Sequence, residues 1–382
     1  MEKVKLTDIC DFQGGSQPPK EEWSFDEQEG YIRMLQIRDF TQGERVTPEY
    51  IKISNTTKMC EANDILIARY GASIGKILTG LAGAYNVAIM RTIPDTSRIK
   101  KLYLYYYLKS PYFQNAILNV GSRAAQAGFN KEDLSKLDIE CPELIKQDKI
   151  IAVLEKLECI IEKRKIELSN LDDLITARFV EMFGDPVKNP KGWEVVTIGD
   201  IVTEVRYGTS KPAVEGGKYP YLRMNNLTAD GHLDLNDLKY IDIPDDEIEK
   251  CVVRKGDVLF NRTNSIELVG KTVVFDLQED MIIAGYIIRV RLNKRLLPEI
   301  LSQYMNLEAL KDILRSMAKG AVNQANINAQ ELQSIKVYIP DMELQKQFIE
   351  MKNQVDKSKV AVQKALDETQ ILFDSLMQKY FG

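Results

Sequence analysis

The stretch Asp64-Ile65-Leu66-Ile67-Ala68-Arg69 recurs in the same chain as Asp257-Val258-Leu259-Phe260-Asn261-Arg262, and this repetition decides the fold. Tyr31-Ile32-Arg33-Met34 before it matches Tyr221-Leu222-Arg223-Met224, and Gly75-Lys76 after it matches Gly270-Lys271. Further matches lie 198 positions apart, with Gln126, Asn130, Leu134, Pro142 and Gln147 recurring as Gln324, Asn328, Leu332, Pro340 and Gln345. Self-similarity along a whole chain is typical of a duplicated unit. The 382 residues are therefore predicted to form two copies of one unit, which end at Phe183-Gly184 and Phe381-Gly382.

Each copy divides into two parts with different periodicity. Residues 1–142 and 193–340 mix short strand-like runs with turns and one helical stretch, which predicts two similar globular α+β domains. The helical stretches, 102–118 and 299–317, are rich in Tyr and Leu and are expected to pack as core. Residues 143–184 and 341–382 are predicted to be long helices, and the Pro-, Gly- and Asn-containing segment 185–192 is predicted to be a linker.

The two predicted helices carry heptad spacing. Apolar residues recur in steps that follow a heptad, at Ile150, Leu154, Leu157, Ile161, Leu168, Leu171 and Ile175 in the first helix and at Phe348, Val355, Val362, Leu366, Phe373 and Leu376 in the second. Some seam positions are polar, namely Arg164, Arg178, Lys352, Lys359 and Thr369, which favours one specified pairing. We expect an antiparallel intramolecular coiled coil with the domains at opposite ends and pseudo-twofold symmetry. The alternative is that each helix docks only onto its own domain.

Composition and rare residues disfavour several classes of protein. Five scattered cysteines with no Cys-x-x-Cys pair argue against a disulfide framework or a thiolate zinc site. His232 is the only histidine, which disfavours a catalytic triad, and the loop 71–77 lacks the spacing of a nucleotide-phosphate loop. The longest apolar run, 281–288, falls far short of the roughly 20 residues of a membrane span. We therefore expect a cytoplasmic protein that has no membrane partner, is not exported and holds no metal site.

Two similar domains joined by stiff helices suit a ligand with two spaced, inverted features, and double-stranded DNA is the obvious example. Lys and Arg number 51 and Asp and Glu 56, so the formal charge of −5 gives no overall basic signature. Contacts with phosphates would have to come from local clusters. Because the two domains differ in sequence, the two halves of the DNA site need not match.

Loop residues at matched positions offer cations, hydroxyls and amides that suit phosphates and base edges. These candidate DNA-binding residues are Ser16, Gln17, Lys20, Arg33, Arg38, Arg69, Tyr70, Ser73, Lys76, Arg123 and Gln126 in the first copy, and Thr209, Ser210, Lys211, Arg223, Asn225, Asn226, Arg262, Asn264, Ser265, Lys271, Lys319, Asn323 and Gln324 in the second. The alternative for each group is an ordinary surface turn or a solvated strand edge.

The order of these motifs, found twice over nearly the whole chain, resembles the DNA-specificity subunit of type I restriction-modification systems. The stretches that carry the resemblance are 63–71 with Gly75-Lys76, 255–271, 137–147 and 335–345. The resemblance implies that 1–142 and 193–340 are target-recognition domains, each of which reads one half of an asymmetric bipartite site. It also implies that the two helices are spacers that fix the gap between the halves and dock methyltransferase subunits. Lys146-Gln147 and Leu344-Gln345 depart from the family's frequent Glu-Gln, which puts a local capping contact in doubt.

The resemblance further implies that the chain is not catalytic and binds no cofactor. S-adenosylmethionine would bind to the adenine methyltransferase (modification) subunit, and ATP and magnesium to partner subunits that include the restriction subunit, a translocase and nuclease. Two alternatives stay open. One is a coiled-coil scaffold or adaptor that binds protein partners, and the other is a self-contained restriction-modification enzyme, for which the sequence offers no cofactor loop.

Overall fold

The computed structural model describes residues 3–121, 128–321 and 324–382, which form two compact units. The first unit comprises Met1–Arg164 and Lys364–Gly382, and the second comprises Lys165–Gln363. Each unit contains one α+β domain and part of each long helix. The expected mixed fold with an internal repeat is therefore confirmed, whereas the exact domain boundaries given above stay a prediction.

The first domain is built from short strands and four helices among the described residues. Its strands are β1 (Lys3–Lys5), β2 (Cys10–Gly14), β3 (Trp23–Ser24), β4 (Tyr31–Leu35), β5 (Tyr50–Lys52), β6 (Met59–Cys60), β7 (Leu66–Ala68), β8 (Ile77–Leu78), β9 (Gly83–Tyr85), β10 (Ile89–Pro94) and β11 (Asp138–Glu140). Its helices are α1 (Ile37–Gln42), α2 (Lys101–Lys109), α3 (Pro111–Gly121) and α4 (Lys131–Leu134). The first long helix, α5, follows at Leu144–Phe183.

The second domain is likewise built from short strands, with five helices among the described residues. Its strands are β12 (Glu194–Thr197), β13 (Val202–Tyr207), β14 (Tyr219–Leu222), β15 (Lys239–Ile241), β16 (Val252–Val253), β17 (Val258–Asn261), β18 (Thr263–Asn264), β19 (Thr272–Val274), β20 (Met281–Ile283), β21 (Ile287–Leu292), β22 (Lys319–Ala321), β23 (Gln324–Asn326) and β24 (Lys336–Ile339). Its helices are α6 (Ile198–Ile201), α7 (Asp245–Cys251), α8 (Pro298–Asn306), α9 (Glu308–Met317) and α10 (Ala329–Ser334). The second long helix, α11, spans Met342–Phe381.

The two domains repeat one sheet topology. An antiparallel sheet has the order β2-β10-β7-β8 in the first domain and β13-β21-β17-β19 in the second. A second sheet contains a parallel pair, β4 with β9 and β14 with β20. The repeated stretch quoted first forms β7 and β17, whose residues are all buried. Burial on both faces explains why these strands are apolar without alternation.

The predicted single helix at 102–118 is wrong, because two helices occupy this stretch. α2 ends before Ser110, whose ψ of 150° is extended, and α3 begins at Pro111. Proline disfavours helical geometry in the residue before it, which accounts for the break. The stretch 299–317 is likewise divided, at the extended Leu307, between α8 and α9.

In the first unit, the amino-terminal part of α5 packs against the carboxy-terminal part of α11. Ile150 of α5 and Phe381 of α11 lie in one buried cluster, and Phe381 packs edge-on against Tyr103 of the domain with ring centroids 5.0 Å apart. Arg164 of α5 donates a hydrogen bond to the hydroxyl of Thr369 in α11. The helices thus pair with each other and also dock onto the domain.

In the second unit, the remaining parts of the two helices pair in the same antiparallel sense. Phe348 of α11 packs edge-on against Phe179 and Phe183 of α5, with ring centroids 5.2 and 5.6 Å apart. Lys359 of α11 forms an ion pair with Asp172 of α5. Among the predicted seam residues, Ile150, Leu154, Leu157, Ile161, Ile175, Phe348 and Val355 are buried, and Leu168, Leu171, Val362, Leu366, Phe373 and Leu376 are half-buried. The predicted coiled-coil pairing is confirmed within each unit.

A buried glutamine ties the start of each long helix to its domain. The Gln345 amide donates to the carbonyl oxygens of Arg295 and Pro340, at 3.1 and 2.8 Å, and its oxygen accepts from the Leu297 N–H at 2.9 Å. Gln147 makes the matching bonds, to the carbonyls of Arg98 and Pro142 and from the N–H of Lys100. Both side chains are fully buried. Since each is held by three backbone groups, neither anchor requires the glutamate that the resemblance led us to expect beside it.

Candidate functional site

A cleft of about 650 Å³ lies in the second unit where four strands end. Residues that follow β13, β14, β17 and β20 converge on it. Six predicted residues line this second-unit cleft, namely Thr209, Ser210, Lys211, Arg223, Asn225 and Arg262. The structure therefore brings into one place residues that lie more than 50 positions apart in the sequence.

Matched glycines shape the loop at the start of the site in both units. A Cβ atom at Gly208 would lie 2.1 Å from the Ile283 carbonyl oxygen, and one at Gly15 would lie 2.1 Å from the Asn86 carbonyl oxygen. Such distances leave no room for a side chain. The glycines therefore let the loop pack closely against the neighbouring strand end.

Arg262 lies in the cleft with its guanidinium over the ring of Tyr207, 5.0 Å from the ring centroid. Its backbone N–H donates to the Tyr286 carbonyl at 3.0 Å, and its own carbonyl accepts from the Ile327 N–H at 2.9 Å. Within the described chain, no carboxylate lies at ion-pair distance from this guanidinium. Arg262 is thus fixed at its backbone and stacked, but not neutralised.

The other two cations of the second-unit cleft have acidic neighbours. The Arg223 guanidinium contacts Asp237 at 2.8 Å, and the Lys211 ammonium contacts Glu247 at 2.9 Å. Partly exposed ion pairs of this kind contribute little stability and can exchange for contacts with a ligand. Asn225 is exposed beside them.

Two predicted residues of this region are buried instead of facing the cleft. Asn226 is 2% exposed, and its side chain accepts from the Arg223 N–H and donates to the Asp234 carbonyl. The Lys271 ammonium donates to the Met224 carbonyl at 2.9 Å, and burial lowers the pKa of this lysine. The direct DNA contact expected of both is therefore a poor fit to the structure, because their polar groups are used to hold the 223–226 loop.

Asn264 ends strand β18, Ser265 follows it, and local hydrogen bonds hold both residues. The Asn264 amide donates to the Asn261 side-chain oxygen at 2.8 Å, and the Ser265 N–H donates to the Asn264 side-chain oxygen at 2.9 Å. These bonds fix the segment beyond β17 but leave both residues half-buried at the surface.

In the first unit, the residues that follow β7 form a separate cluster. The Arg69 guanidinium lies 5.0 Å from the ring centroid of Tyr70 and donates to the Phe129 carbonyl at 3.3 Å. Lys76 is exposed and Ser73 is half-buried. Arg69 occupies the repeat position of Arg262, and among described residues it too has no carboxylate at ion-pair distance.

The first unit contains a cleft of about 390 Å³ that is lined by other predicted residues. Gln17, Lys20 and Arg38 line this first-unit cleft, and Arg38 forms an ion pair with Glu49, which also lines it. Of the remaining predicted residues, Arg33 contacts the buried Asp39 at 2.9 Å, and Ser16 lies half-buried in the preceding loop. The first-unit cleft therefore differs from the second-unit cleft in containing a carboxylate, and Arg69 is not among its described lining residues.

The remaining predicted residues lie in or close to the two internal segments that the structure does not describe, 122–127 and 322–323. Lys319 and Gln324 lie in strands β22 and β23. Arg123, Gln126 and Asn323 lie outside the described residues.

Sequence reasoning missed several aromatic and acidic residues that line the clefts. Tyr286, which is 50% exposed, lines the second-unit cleft, and Trp23, Phe25 and Glu49 line the first-unit cleft. Single aromatic residues in loops and very short strands carry no periodic signal, so only the fold brings them to the site. The one sequence signal that could have indicated these aromatic residues is an aromatic residue close to a cation that recurs at the same position in both copies.

The described residues contain no group of three or more His, Cys, Asp or Glu side chains that could hold a metal ion. In the same part of the chain, every helix is too short or too polar to cross a membrane.

A family model described as the type I restriction modification DNA specificity domain matches residues 1–170 and again residues 190–369. The type I restriction enzyme EcoKI specificity subunit of Escherichia coli is 24% identical over 299 residues, which cover 73% of this chain and 64% of that protein. A Methanocaldococcus jannaschii relative of the MjaX system is 30% identical over 196 residues, 50% of this chain and 46% of the relative. The matches thus span between about half and just under two thirds of these curated relatives.

Solved structures share the fold along the whole chain. A chain from a structure of a type I R-M system superposes with a TM-score of 0.62 at 20% identity and covers 100% of this chain and 97% of its own length. The S subunit from M. genitalium gives a TM-score of 0.53 at 16% identity, with 100% and 96% covered. At this identity the likeness establishes the fold alone.

Proposed function

The chain belongs to the type I restriction modification DNA specificity family, and from this premise we propose that it is the sequence-reading subunit of a type I restriction-modification complex. Each domain reads one half of a bipartite, asymmetric DNA site. The two long helices set the gap between the halves and dock methyltransferase subunits. The chain itself carries out no chemistry.

One observation carries this proposal. Both copies of the repeat hold an arginine, Arg69 or Arg262, directly after the same strand, stacked on a tyrosine and without a carboxylate at ion-pair distance among the described residues. Arginines that serve only the fold are usually paired with carboxylates, as Arg91 and Arg291 are here. Two unpaired, aromatic-stacked guanidiniums at matched sites suit two DNA contacts.

The proposal places catalysis in partner subunits. The modification subunits would bind S-adenosylmethionine, and ATP and magnesium would bind in partners that include the restriction subunit. With a formal charge of −5, the chain alone is expected to bind DNA weakly, and the methyltransferase subunits would supply much of the phosphate neutralisation.

The experiment is a binding assay of the assembled complex on DNA in which each half-site is mutated separately. Arg69→Ala should weaken recognition of one half and Arg262→Ala recognition of the other, by roughly tenfold each. Arg295→Ala is the matched control, since it removes a cation of the second unit whose partner is Glu194, away from the cleft. Equal losses at both halves for either variant would contradict two independent readers.

The spacing role has its own test. Removing Lys165–Leu171 from α5 together with Val360–Leu366 from α11 deletes one heptad from each helix and leaves the contacts Arg164–Thr369 and Lys359–Asp172 in register. Seven residues of helix correspond to about 10.5 Å, or roughly three base pairs of B-DNA. The site methylated by the variant complex should have a gap altered by about that amount, and an unaltered gap would show that the helices do not set the spacing.

A further inference from the structure

The second-unit cleft has a charge pattern that favours one kind of base edge. Three cations, Lys211, Arg223 and Arg262, line it, and no carboxylate is found among its described lining residues. Two of them are paired with acidic residues just outside the cleft, which leaves Arg262 as the cation with no acidic partner in the described chain. A group that presents hydrogen-bond acceptors would fit here better than one that presents donors.

The guanidinium of Arg262 is held in a defined orientation. Its backbone is hydrogen-bonded on both sides, and the Tyr207 ring lies under the guanidinium. The ring is itself fixed, because the Tyr207 hydroxyl accepts from the Ala329 N–H at 2.8 Å. A planar fork on a fixed aromatic platform can form two parallel hydrogen bonds at little further cost in side-chain entropy.

Among the base edges of the major groove, guanine alone offers two adjacent acceptors, N7 and O6, that match this fork. Adenine and cytosine present an amino group, a hydrogen-bond donor, at the major-groove edge, and this group would face the donors of the guanidinium without forming a hydrogen bond. The exposed Tyr286 on the cleft wall adds an apolar surface that suits a base edge better than a phosphate.

We propose that Arg262 reads a guanine in the half-site bound by the second unit, with two hydrogen bonds to N7 and O6, and that Tyr207 is the positioning residue for this contact. This inference rests on the proposed function, since it assumes that the second domain reads DNA.

The test uses the full chain assembled with its methyltransferase subunits. The bipartite motif is first obtained by mapping methylated bases, and binding is then measured on duplexes in which 7-deazaguanine, which lacks the N7 acceptor, replaces each guanine in turn. At one guanine, in one half, the replacement should weaken binding of the wild-type complex by roughly tenfold. This measurement needs no protein variant, so it holds even if a variant folds poorly.

Variants then assign the contact to Arg262. Arg262→Ala removes the fork, so it should bind the unmodified site roughly tenfold less tightly and show no further loss with 7-deazaguanine at that position. Tyr207→Leu should reduce the 7-deazaguanine effect at the same guanine while leaving the responses at other bases unchanged, a selectivity that general destabilisation would not produce. Arg295→Ala should retain the full effect.

Three results would overturn the inference: no guanine in the half-site that Arg262→Ala affects, no 7-deazaguanine effect in the wild type, or an undiminished 7-deazaguanine effect in Arg262→Ala. In each case a complex that still requires both half-sites leaves the proposed function intact. A complex that ignores changes in both halves would defeat the proposed function as well.

Discussion

The buried glutamines at the start of the long helices allow a quantitative prediction. Gln345→Met replaces the side chain with one of similar length and leaves three backbone groups without their partner, the carbonyls of Arg295 and Pro340 and the N–H of Leu297. Methionine fills the space, so the cavity contribution is small. A lost hydrogen bond in a buried site costs roughly 1 kcal/mol or more, and three give about 3 kcal/mol for the second unit.

The two tryptophans of the chain provide the assay, because Trp23 lies in the first unit and Trp193 in the second. In a Trp23→Phe background, fluorescence reports only on Trp193, whose indole N–H donates to the Phe183 carbonyl at 2.9 Å. With a urea m-value of roughly 2 to 3 kcal/mol per molar, a loss of about 3 kcal/mol moves the midpoint down by about 1 to 1.5 M.

Lys346→Met is the control, since the neighbouring residue is exposed and should leave the midpoint within about 0.2 M of wild type. If Gln345→Met unfolds at the same urea concentration as this control, the three hydrogen bonds do not hold the helix to the domain. The matched substitution Gln147→Met is expected to destabilise the first unit in the same way.

Three further predictions follow from the described contacts. Gly208→Ala should destabilise the second unit by more than about 2 kcal/mol, because the new Cβ atom would lie 2.1 Å from a carbonyl oxygen. Gly285→Ala should be tolerated, because its Cβ atom would lie 3.5 Å from the nearest carbonyl oxygen, and equal urea midpoints for the two variants would contradict this prediction. Arg164→Leu should weaken the helix pairing in the first unit, since it removes a hydrogen bond to the Thr369 hydroxyl, and faster amide hydrogen exchange near position 369 than in wild type would verify it. A hydrogen bond from His232 lowers the pKa of Asp230 below its ordinary value of 3.8, so the ionised carboxylate stabilises the folded state above pH 3.8 and this stabilisation is lost as the pH falls. The urea midpoint of the wild type should therefore decline toward pH 2 more steeply than that of Asp230→Asn. Parallel declines would argue against this contribution of Asp230.

Much of the scaffold could be predicted because it follows from periodicity and repetition. The heptads indicated the helix pairing, and the polar seam residues Arg164 and Lys359 do find partners on the facing helix. The aromatic cluster of Phe179, Phe183 and Phe348 was only partly foreseen. Its two members on α5 are four residues apart and lie outside the heptad positions assigned to the seam, where the helices meet the domain as well as each other.

The cleft was harder to predict because exposure depends on tertiary packing. Lys76 and Lys271 occupy the same repeat position and look equivalent in the sequence, yet Lys76 is exposed while Lys271 is buried against the Met224 carbonyl. Arg223 and Arg262 also look alike, although only Arg223 has a carboxylate partner in the described chain. Which cation can meet a ligand is decided by neighbours that come from distant parts of the chain.

The two copies share their scaffold but differ in their clefts, and this difference has a physical explanation. The shared features build the scaffold: the sheet order, the glycine packed against a strand end and the buried glutamine each satisfy backbone geometry, which tolerates little change. The clefts are open to solvent, so changes in their charge cost little stability. The two clefts accordingly differ in charge. Glu49 places a carboxylate in the first-unit cleft, whereas the described lining of the second-unit cleft has cations and no carboxylate. Two domains with the same frame and clefts of different charge can read two different half-sites, and this is what an asymmetric bipartite target requires.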